Sequence, residues 1–79
     1  MRDNLTKSDI KKMQDEMERR IMIDRPEILE RVKEARAQGD LSENFEYYAA
    51  KKFNRENNSR IEYLEKMLRN ATINMLQME

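Results

Sequence analysis

The chain has 79 residues, with 16 basic and 16 acidic residues and therefore no formal net charge. This length allows one small domain, which buries little surface unless a partner or long helix pairing assists it. With no cysteine and no histidine, disulfides, thiolate zinc sites and Ser-His or Cys-His catalytic arrangements are excluded. The metal ligands that remain are oxygens, which suit Mg²⁺ or Ca²⁺. The balanced charge argues against a general polyanion binder.

Charged residues make up 41% of the chain, which contains one glycine and one proline. This composition is typical of long, exposed helices. No strand pattern occurs, so we predict an all-α protein. The first residues lack the apolar core of a signal peptide, and no apolar run is long enough to span a membrane. We therefore expect a cytoplasmic protein without a membrane partner.

The first predicted helix covers residues 6–24, with Thr6 as its N-cap. Its apolar residues recur at spacings of three and four and form one stripe, which consists of Ile10, Met13, Met17 and Ile21. Pro26 has no N–H and disfavours helical angles at Arg25, so we predict a kink or short break at 24–26.

Helix then resumes to about Gln38. Its stripe consists of Ile28, Val32 and Ala35, with Leu29 alongside. Gly39 follows at the position where a helix C-terminus favours a left-handed residue.

The second predicted arm runs from about residue 42 to 72, followed by a tail at 73–79. Its apolar residues repeat in heptad fashion and comprise Ile61, Leu64, Leu68, Ala71 and Met75. Carried backward, the same register passes through Asn57, Asn54, Ala50 and Tyr47, with Phe53 beside it. The middle of this seam is therefore polar.

Together these patterns predict a long antiparallel two-helix coiled-coil hairpin, whose first arm is kinked near Pro26. Arm one covers about residues 6–38 and the tip covers 39–43. At 1.5 Å per residue, arms of roughly thirty residues give a rod of about 45 Å. Such a rod has no concave pocket, so the tip is the informative place.

The tip sequence is "GDLSENFEYYAAK", residues 39–51. One interpretation is structural, with Asp40 as N-cap and Glu43 completing a capping box. The other is functional, because Glu46 adds an acid that a cap does not need. The residues just behind the tip are basic and have no acidic partner three or four positions away on their own helix; they are Arg36, Lys51 and Arg55.

Several stretches resemble the GreA/GreB transcript cleavage factors. They are "LT" at 5–6, "RPEI" at 25–28, "EARAQGDLSENFEYYAAK" at 34–51, "RIEYLEKML" at 60–68 and "NATI" at 70–73. The resemblance covers residues 5 to about 74, and "GDLSEN-EY-AAK" is its most specific part.

The resemblance implies an antiparallel coiled coil that enters the secondary channel of bacterial RNA polymerase. It implies that Asp40 and Glu43 help hold a second Mg²⁺ and position a water for hydrolysis of backtracked RNA. The Mg²⁺ would be shared with the polymerase and not held stably by this chain alone. The chain would thus be an accessory factor and not an enzyme, with polymerase and backtracked nascent RNA as its partners.

The same resemblance assigns RNA contacts to Arg36 and Lys51. We group Arg55 with them as the third basic residue behind the tip. The residues Glu46, Phe45 and Tyr47 are expected to support the tip.

The sequence also departs from the family pattern. Asp9 and Phe45 stand where members usually carry glycine and often carry alanine, and residues 53–59 match weakly. Typical members continue into a globular C-terminal domain, which we expect this chain to lack. We therefore expect an expressed N-terminal domain, a gene fragment or a short stand-alone relative.

Two alternative functions stay open. One is a competitor that enters the same channel without promoting cleavage, and the other is a coiled-coil interaction module whose tip is only a cap. We further expect self-association of the isolated chain, with its contact near Ile61, Leu64 and Leu68, because a two-helix rod of this size is marginal alone.

Overall fold

The computed structural model describes residues 5–38 and 44–77, all but a few of which are helical. The first arm comprises helix α1 (Lys7–Arg19), a π-helical turn (Arg20–Asp24) and helix α2 (Arg25–Arg36), and the second arm is helix α3 (Phe45–Gln77). The two arms run antiparallel and form a rod of 58 × 23 × 14 Å. No strand occurs in the described ranges, so the predicted all-α hairpin is confirmed. No helix in these ranges is long and apolar enough to cross a membrane.

The N-terminus of α1 is closed by a capping box, which confirms Thr6 as the N-cap. The Asp9 N–H donates to Thr6 Oγ1 at 3.0 Å, and the Thr6 N–H donates to Asp9 Oδ2 at 3.1 Å. Each side chain thus satisfies a backbone donor that the helix leaves without a partner. The hydrogen bond from the Thr6 N–H to the carboxylate, followed by the effect of the Thr6 side chain, lowers the pKa of Asp9. An acid at position 9 therefore has a structural use, because it closes the first turn of α1.

The predicted break at residues 24–26 is not observed, because the chain stays helical from Lys7 to Arg36. The irregularity near Pro26 takes the form of the π-helical turn that precedes it, where the Arg25 N–H donates to the Arg20 carbonyl five residues back. A proline ring in a helix clashes with the carbonyl four residues earlier and provides no N–H to it. A wider turn relieves that clash without ending the helix.

The π-helical turn also shifts the phase of the apolar stripe by one residue. Before the turn, the inward positions follow heptad spacing through 10, 13, 17, 20 and 24; after it, they follow 21, 25, 28, 32 and 35. The side chains of both series are at least half-buried. The two series occur side by side only within residues 20–25, where one gives way to the other. One extra residue in the turn therefore keeps both halves of arm one facing α3.

The core lies along the predicted seam of α3. The buried side chains there are Tyr47, Ala50, Asn57, Ile61 and Leu64, with Leu64 fully inaccessible. Leu68 and Ala71 are half-buried, and Leu29 is 48% exposed on α2. The side chain of Met75 lies outside the described part. Ile61 and Leu64 are thus covered within one hairpin. Self-association of the chain near Ile61, Leu64 and Leu68 stays a prediction.

The polar middle of the seam bonds across the hairpin at Asn57, whereas the buried Oδ1 of Asn54 has no hydrogen-bond partner among the described residues. Asn57 is 4% exposed, and its amide nitrogen donates to the Arg20 carbonyl at 3.1 Å while its Oδ1 accepts from Arg20 Nη1 at 2.8 Å. A second contact involves Arg25, which follows Arg20 by about one turn on the first arm. Its Nε donates to Asn58 Oδ1 at 3.2 Å. Buried polar groups that bond only one partner fix the register of two helices. These contacts join the π-helical turn to the middle of α3.

The helix ends differ from the prediction at three points. The first arm leaves α-helix after Arg36, and α3 begins at Phe45 and not near residue 42. The predicted tail at 73–79 is helical as far as Gln77. Gly39, the predicted C-cap, lies outside the described residues.

Glu16 binds two arginines, Arg20 on its own arm and Arg60 on the other arm. It accepts from Arg20 Nε at 2.8 Å and from Arg60 Nε and Nη2 at 2.8 and 3.1 Å. The hydrogen bonds from Arg60 and then Arg20 lower the pKa of Glu16 from its usual 4.5 to about 2. Because the folded state holds this pKa below the unfolded value, the stabilisation is present above pH 4.5 and is lost as the pH falls toward 2.

We therefore expect Glu16→Gln to lower the free energy of unfolding at pH 7 by about 1–2 kcal/mol, since a part-exposed, bidentate charge pair is lost. The difference from wild type should shrink as the pH falls from 4.5 toward 2. Thermal unfolding followed by circular dichroism measures it. Asp15→Asn is the control, because the Lys11–Asp15 pair is mostly exposed and its loss should have little effect at any pH. A pH-independent cost of Glu16→Gln would contradict the interpretation.

Candidate functional site at the tip of the hairpin

The side chain of Asn44 joins the ends of both arms at the tip. Its Oδ1 accepts from the Tyr47 N–H at 3.0 Å, which makes Asn44 the N-cap of α3. Its amide nitrogen donates to the Ala35 carbonyl at 2.6 Å, and that carbonyl belongs to the last turn of α2. One amide thus satisfies a free donor of α3 and adds a second donor to the Ala35 carbonyl, which also accepts from the Gln38 N–H at 3.2 Å. The facing residues Ala35 and Ala50 are small and buried, which lets the arms approach closely here.

The role of N-cap for α3 therefore belongs to Asn44, whereas the sequence suggested Asp40. The predicted capping box of Asp40 and Glu43 lies outside the described residues. Since α3 begins at Phe45, neither acid is needed to begin the described helix.

Behind the tip, the ring of Tyr47 contacts one basic residue on each arm. Its ring is 8% exposed, and the Arg36 guanidinium carbon lies 5.7 Å and the Lys51 Nζ 5.3 Å from the ring centroid. Arg36 Nη2 also donates to Tyr47 Oη at 3.4 Å. Cations at these distances are attracted to the face of an aromatic ring. We call Arg36, Tyr47 and Lys51 the basic cluster.

The basic cluster lowers the pKa of Tyr47, chiefly through the hydrogen bond from Arg36 and also through Lys51, while burial acts in the opposite direction. No carboxylate of the described residues lies within 4.0 Å of Arg36, Lys51 or Arg55. Positive charge near the tip is therefore not neutralised by these carboxylates, and an anion can approach it.

The remaining predicted site residues lie apart from the basic cluster. Arg55 is exposed one turn beyond Lys51 and makes none of the contacts of Tyr47. Phe45 is 82% exposed at the start of α3. Glu46 lines a shallow groove of about 250 Å³ between α2 and α3, together with Arg31, Glu34, Ala35, Gln38, Ala49, Ala50 and Phe53.

The two predicted metal ligands, Asp40 and Glu43, lie outside the described residues. Within the described ranges, no three acidic side chains come together in a way that could hold a metal ion. The sequence predicted the basic residues and Tyr47, but it did not identify Asn44. The available signal was an asparagine immediately before the aromatic start of a helix, a preferred N-cap residue in its usual place.

The two bonds of Asn44 can be separated by substitution. Asn44→Asp retains the cap on the Tyr47 N–H but removes the donor to the Ala35 carbonyl, whereas Asn44→Ala removes both. We expect losses of roughly 1 kcal/mol for the aspartate and about 2 kcal/mol for the alanine variant in thermal unfolding. Hydrogen exchange of the Tyr47 amide should accelerate locally only in Asn44→Ala. Equal protection of that amide in both variants would argue against the capping role.

The basic cluster predicts a directed change in the ionisation of Tyr47. In a Tyr48→Phe, Tyr63→Phe background, Tyr47 is the only tyrosine, and absorbance during an alkaline titration reports its pKa. Arg36→Ala should raise this pKa, because the largest cause of its lowering is removed; Lys51→Ala should raise it less. Lys52→Ala, which removes a cation outside the basic cluster, is the control. No change on losing Arg36 would contradict the contact.

The sequence of this chain is similar to that of known proteins. Residues 4–73 match the family model described as "Transcription elongation factor, N-terminal", of GreA and GreB. The chain is 52% identical over 59 residues to transcription elongation factor GreA of Nitrobacter winogradskyi, covering 75% of this chain and 37% of the relative. Over 69 residues it is 46% and 48% identical to GreA of Rhodopseudomonas palustris and of Geobacillus kaustophilus, covering 87% of this chain and 44% of each relative.

The chain thus spans about two fifths of the length of these curated relatives. No solved structure matches it significantly. The matched model covers residues 4–73 of 79, which includes both arms and the tip. The chain belongs to the GreA/GreB family of transcription elongation factors and corresponds to the N-terminal domain of that family.

Proposed function

We propose that this chain inserts its tip into the secondary channel of bacterial RNA polymerase and promotes hydrolysis of backtracked RNA. The observation that carries the proposal is the basic cluster, which combines cations of both arms directly behind a connection that contains Asp40 and Glu43. A rod 58 Å long and two helices thick is suited to a narrow channel. The chain would act in the cytoplasm, where its polymerase partner operates.

Asp40 and Glu43 are suited to a hard cation because both supply carboxylate oxygens, the ligands that Mg²⁺ prefers. Two carboxylates leave most positions of an octahedral ion to other donors, so binding would require groups of the polymerase and the RNA. When bound, Mg²⁺ would stabilise negative charge on the oxygens of the phosphodiester being cleaved. The chain therefore lends ligands and has no independent turnover.

The basic cluster would hold the RNA. Arg36, on α2, is oriented by the hydroxyl and the ring of Tyr47. Lys51 lies near the same ring and belongs to α3, as Tyr47 does. Cations oriented in advance lose less conformational entropy when they bind a phosphate. In this proposal, Tyr47 positions the two cations and does not contact the reacting atoms. Glu46 and Phe45 would support the tip from the first turn of α3.

The Asp40→Asn, Glu43→Gln double variant tests the role of the carboxylates. Both changes keep hydrogen-bonding side chains of the same size, and α3 is capped by Asn44, so thermal stability should stay within about 1 kcal/mol of wild type. Stimulation of RNA cleavage on backtracked polymerase should be lost. Raising Mg²⁺ should restore part of it by mass action.

Cleavage at the wild-type rate by the double variant would refute the metal-ligand assignment. If the wild-type chain instead binds and displaces a cleavage factor without causing cleavage, it is a channel competitor. If it has no effect at all, the tip is only a structural turn.

Arg36→Ala and Lys51→Ala should produce a different defect. We expect weaker engagement of backtracked complexes, greater salt sensitivity of the remaining activity and little rescue by Mg²⁺, because phosphate contacts are lost while the carboxylates remain. Titration of the chain in the cleavage assay at several salt concentrations measures this. Lys7→Ala, at the far end of α1, is the matched loss of one positive charge. An equal effect of Lys7→Ala would contradict a local RNA contact.

A further inference from the structure

The outer face of α3 carries two exposed aromatic residues followed by two cations. Phe45, Tyr48, Lys52 and Arg55 are spaced by three, four and three residues, which places them within about 80° of the helix circumference. Phe45 is 82% and Tyr48 51% exposed. We refer to these four residues as the outer face.

The outer face points away from the first arm. The seam that packs on arm one contains Tyr47, Ala50 and Asn57, and at 3.6 residues per turn its centre lies about 160° around the helix from the outer face. Neither arm of the hairpin can therefore cover the two aromatic rings. Phe53, the other exposed aromatic residue in this part of α3, lines the groove between α2 and α3.

The outer face is continuous with the basic cluster. The rings of Tyr48 and Tyr47 meet edge-on, with their centroids 5.5 Å apart and their planes at 62°. Tyr47 in turn contacts Arg36 and Lys51. A ligand held by the basic cluster would therefore have aromatic surface next to it, in the direction of the tip.

The charge of the outer face favours a polyanion over an apolar protein partner. Among the described residues, no carboxylate lies within 4.0 Å of Lys51, Lys52 or Arg55. Glu56 borders the outer face only at its end away from the tip. Aromatic rings that stack on bases, combined with cations that follow the backbone, are the usual means of binding single-stranded nucleic acid.

We propose that the outer face binds the extruded segment of the RNA, with a base stacked on Phe45 and Tyr48 and phosphates near Lys52 and Arg55. The four residues extend over about 15 Å of helix, which accommodates a short stretch of nucleotides. This inference rests on the proposed function and adds base stacking, which phosphate contacts by Arg36 and Lys51 do not supply.

The test compares variants of the 79-residue chain on backtracked polymerase carrying either normal RNA or RNA with an abasic nucleotide at each extruded position in turn. On normal RNA, Phe45→Ala and Tyr48→Ala should each weaken the apparent affinity about tenfold, the usual scale of one lost base stack. On RNA that is abasic at the stacked position, the apparent affinity of the wild-type chain should fall to that of the variants. The affinity of the variants should change little, because they have already lost the stacking ring. Phe45→Trp should retain affinity, since it keeps a stacking surface.

Phe53→Ala is the matched control, because it removes an aromatic ring from a different side of the same helix; Phe53 is 53% exposed, against 51% for Tyr48 and 82% for Phe45. Circular dichroism verifies that each variant stays helical. If Phe45→Ala matches Phe53→Ala, or if its loss is the same on abasic and normal RNA, the stacking proposal is overturned while cleavage by the wild-type chain still supports the proposed function. If the wild-type chain neither binds nor stimulates cleavage, the proposed function fails and this inference fails with it.

Discussion

The way the two arms meet beside the tip depends on one side-chain amide. Asn44 caps α3 through the Tyr47 N–H and closes α2 through the Ala35 carbonyl, so the last turn of one arm and the first turn of the other are held together. The Tyr47 N–H would otherwise be a helix-terminal donor without a partner, and the Ala35 carbonyl would keep only its hydrogen bond from the Gln38 N–H. Because Tyr47 lies in the turn that Asn44 caps, the same amide also fixes where the ring meets Arg36 and Lys51.

The second constraint lies farther along the rod, where the first arm changes register. Pro26 removes one helical hydrogen bond, and the π-helical turn before it supplies the extra residue that brings both halves of the apolar stripe onto α3. Asn57 then bonds both the backbone and the side chain of Arg20 at the start of that turn. The segment between Asn57 and Asn44 is thus joined to the first arm at both ends. A segment restrained at both ends has less conformational entropy to lose when it binds a partner.

The sequence predicted the features that arise from periodicity. Heptad spacing identified Ile61 and Leu64 as core residues, and its backward extension identified Tyr47, Ala50 and Asn57, all of which are buried. The absence of acidic neighbours on the helix identified Arg36 and Lys51. Family resemblance, and not spacing, singled out Asp40 and Glu43 as ligands.

Other features could not be read from local patterns. Asp40 and Glu43 fit a capping box by spacing, but Asn44 also reaches Ala35, nine residues away, and a contact across the hairpin is invisible to a rule about one helix. A proline usually suggests a break, whereas here a wider turn accommodates it and the first arm stays helical. The pairing of Tyr47 with two cations depends on how closely the arms approach, which the small residues Ala35 and Ala50 permit.

The most direct test of the account is the structure of this 79-residue chain bound to backtracked RNA polymerase, determined by electron cryo-microscopy. The account predicts that the tip lies at the catalytic centre, with Asp40 and Glu43 oxygens about 2.0–2.1 Å from a Mg²⁺ that the polymerase also binds. It also predicts that Asn44 still bonds Ala35 and that Arg36 and Lys51 face the RNA. A complex in which the tip acids point into solvent, or in which the chain binds away from the channel, would contradict it.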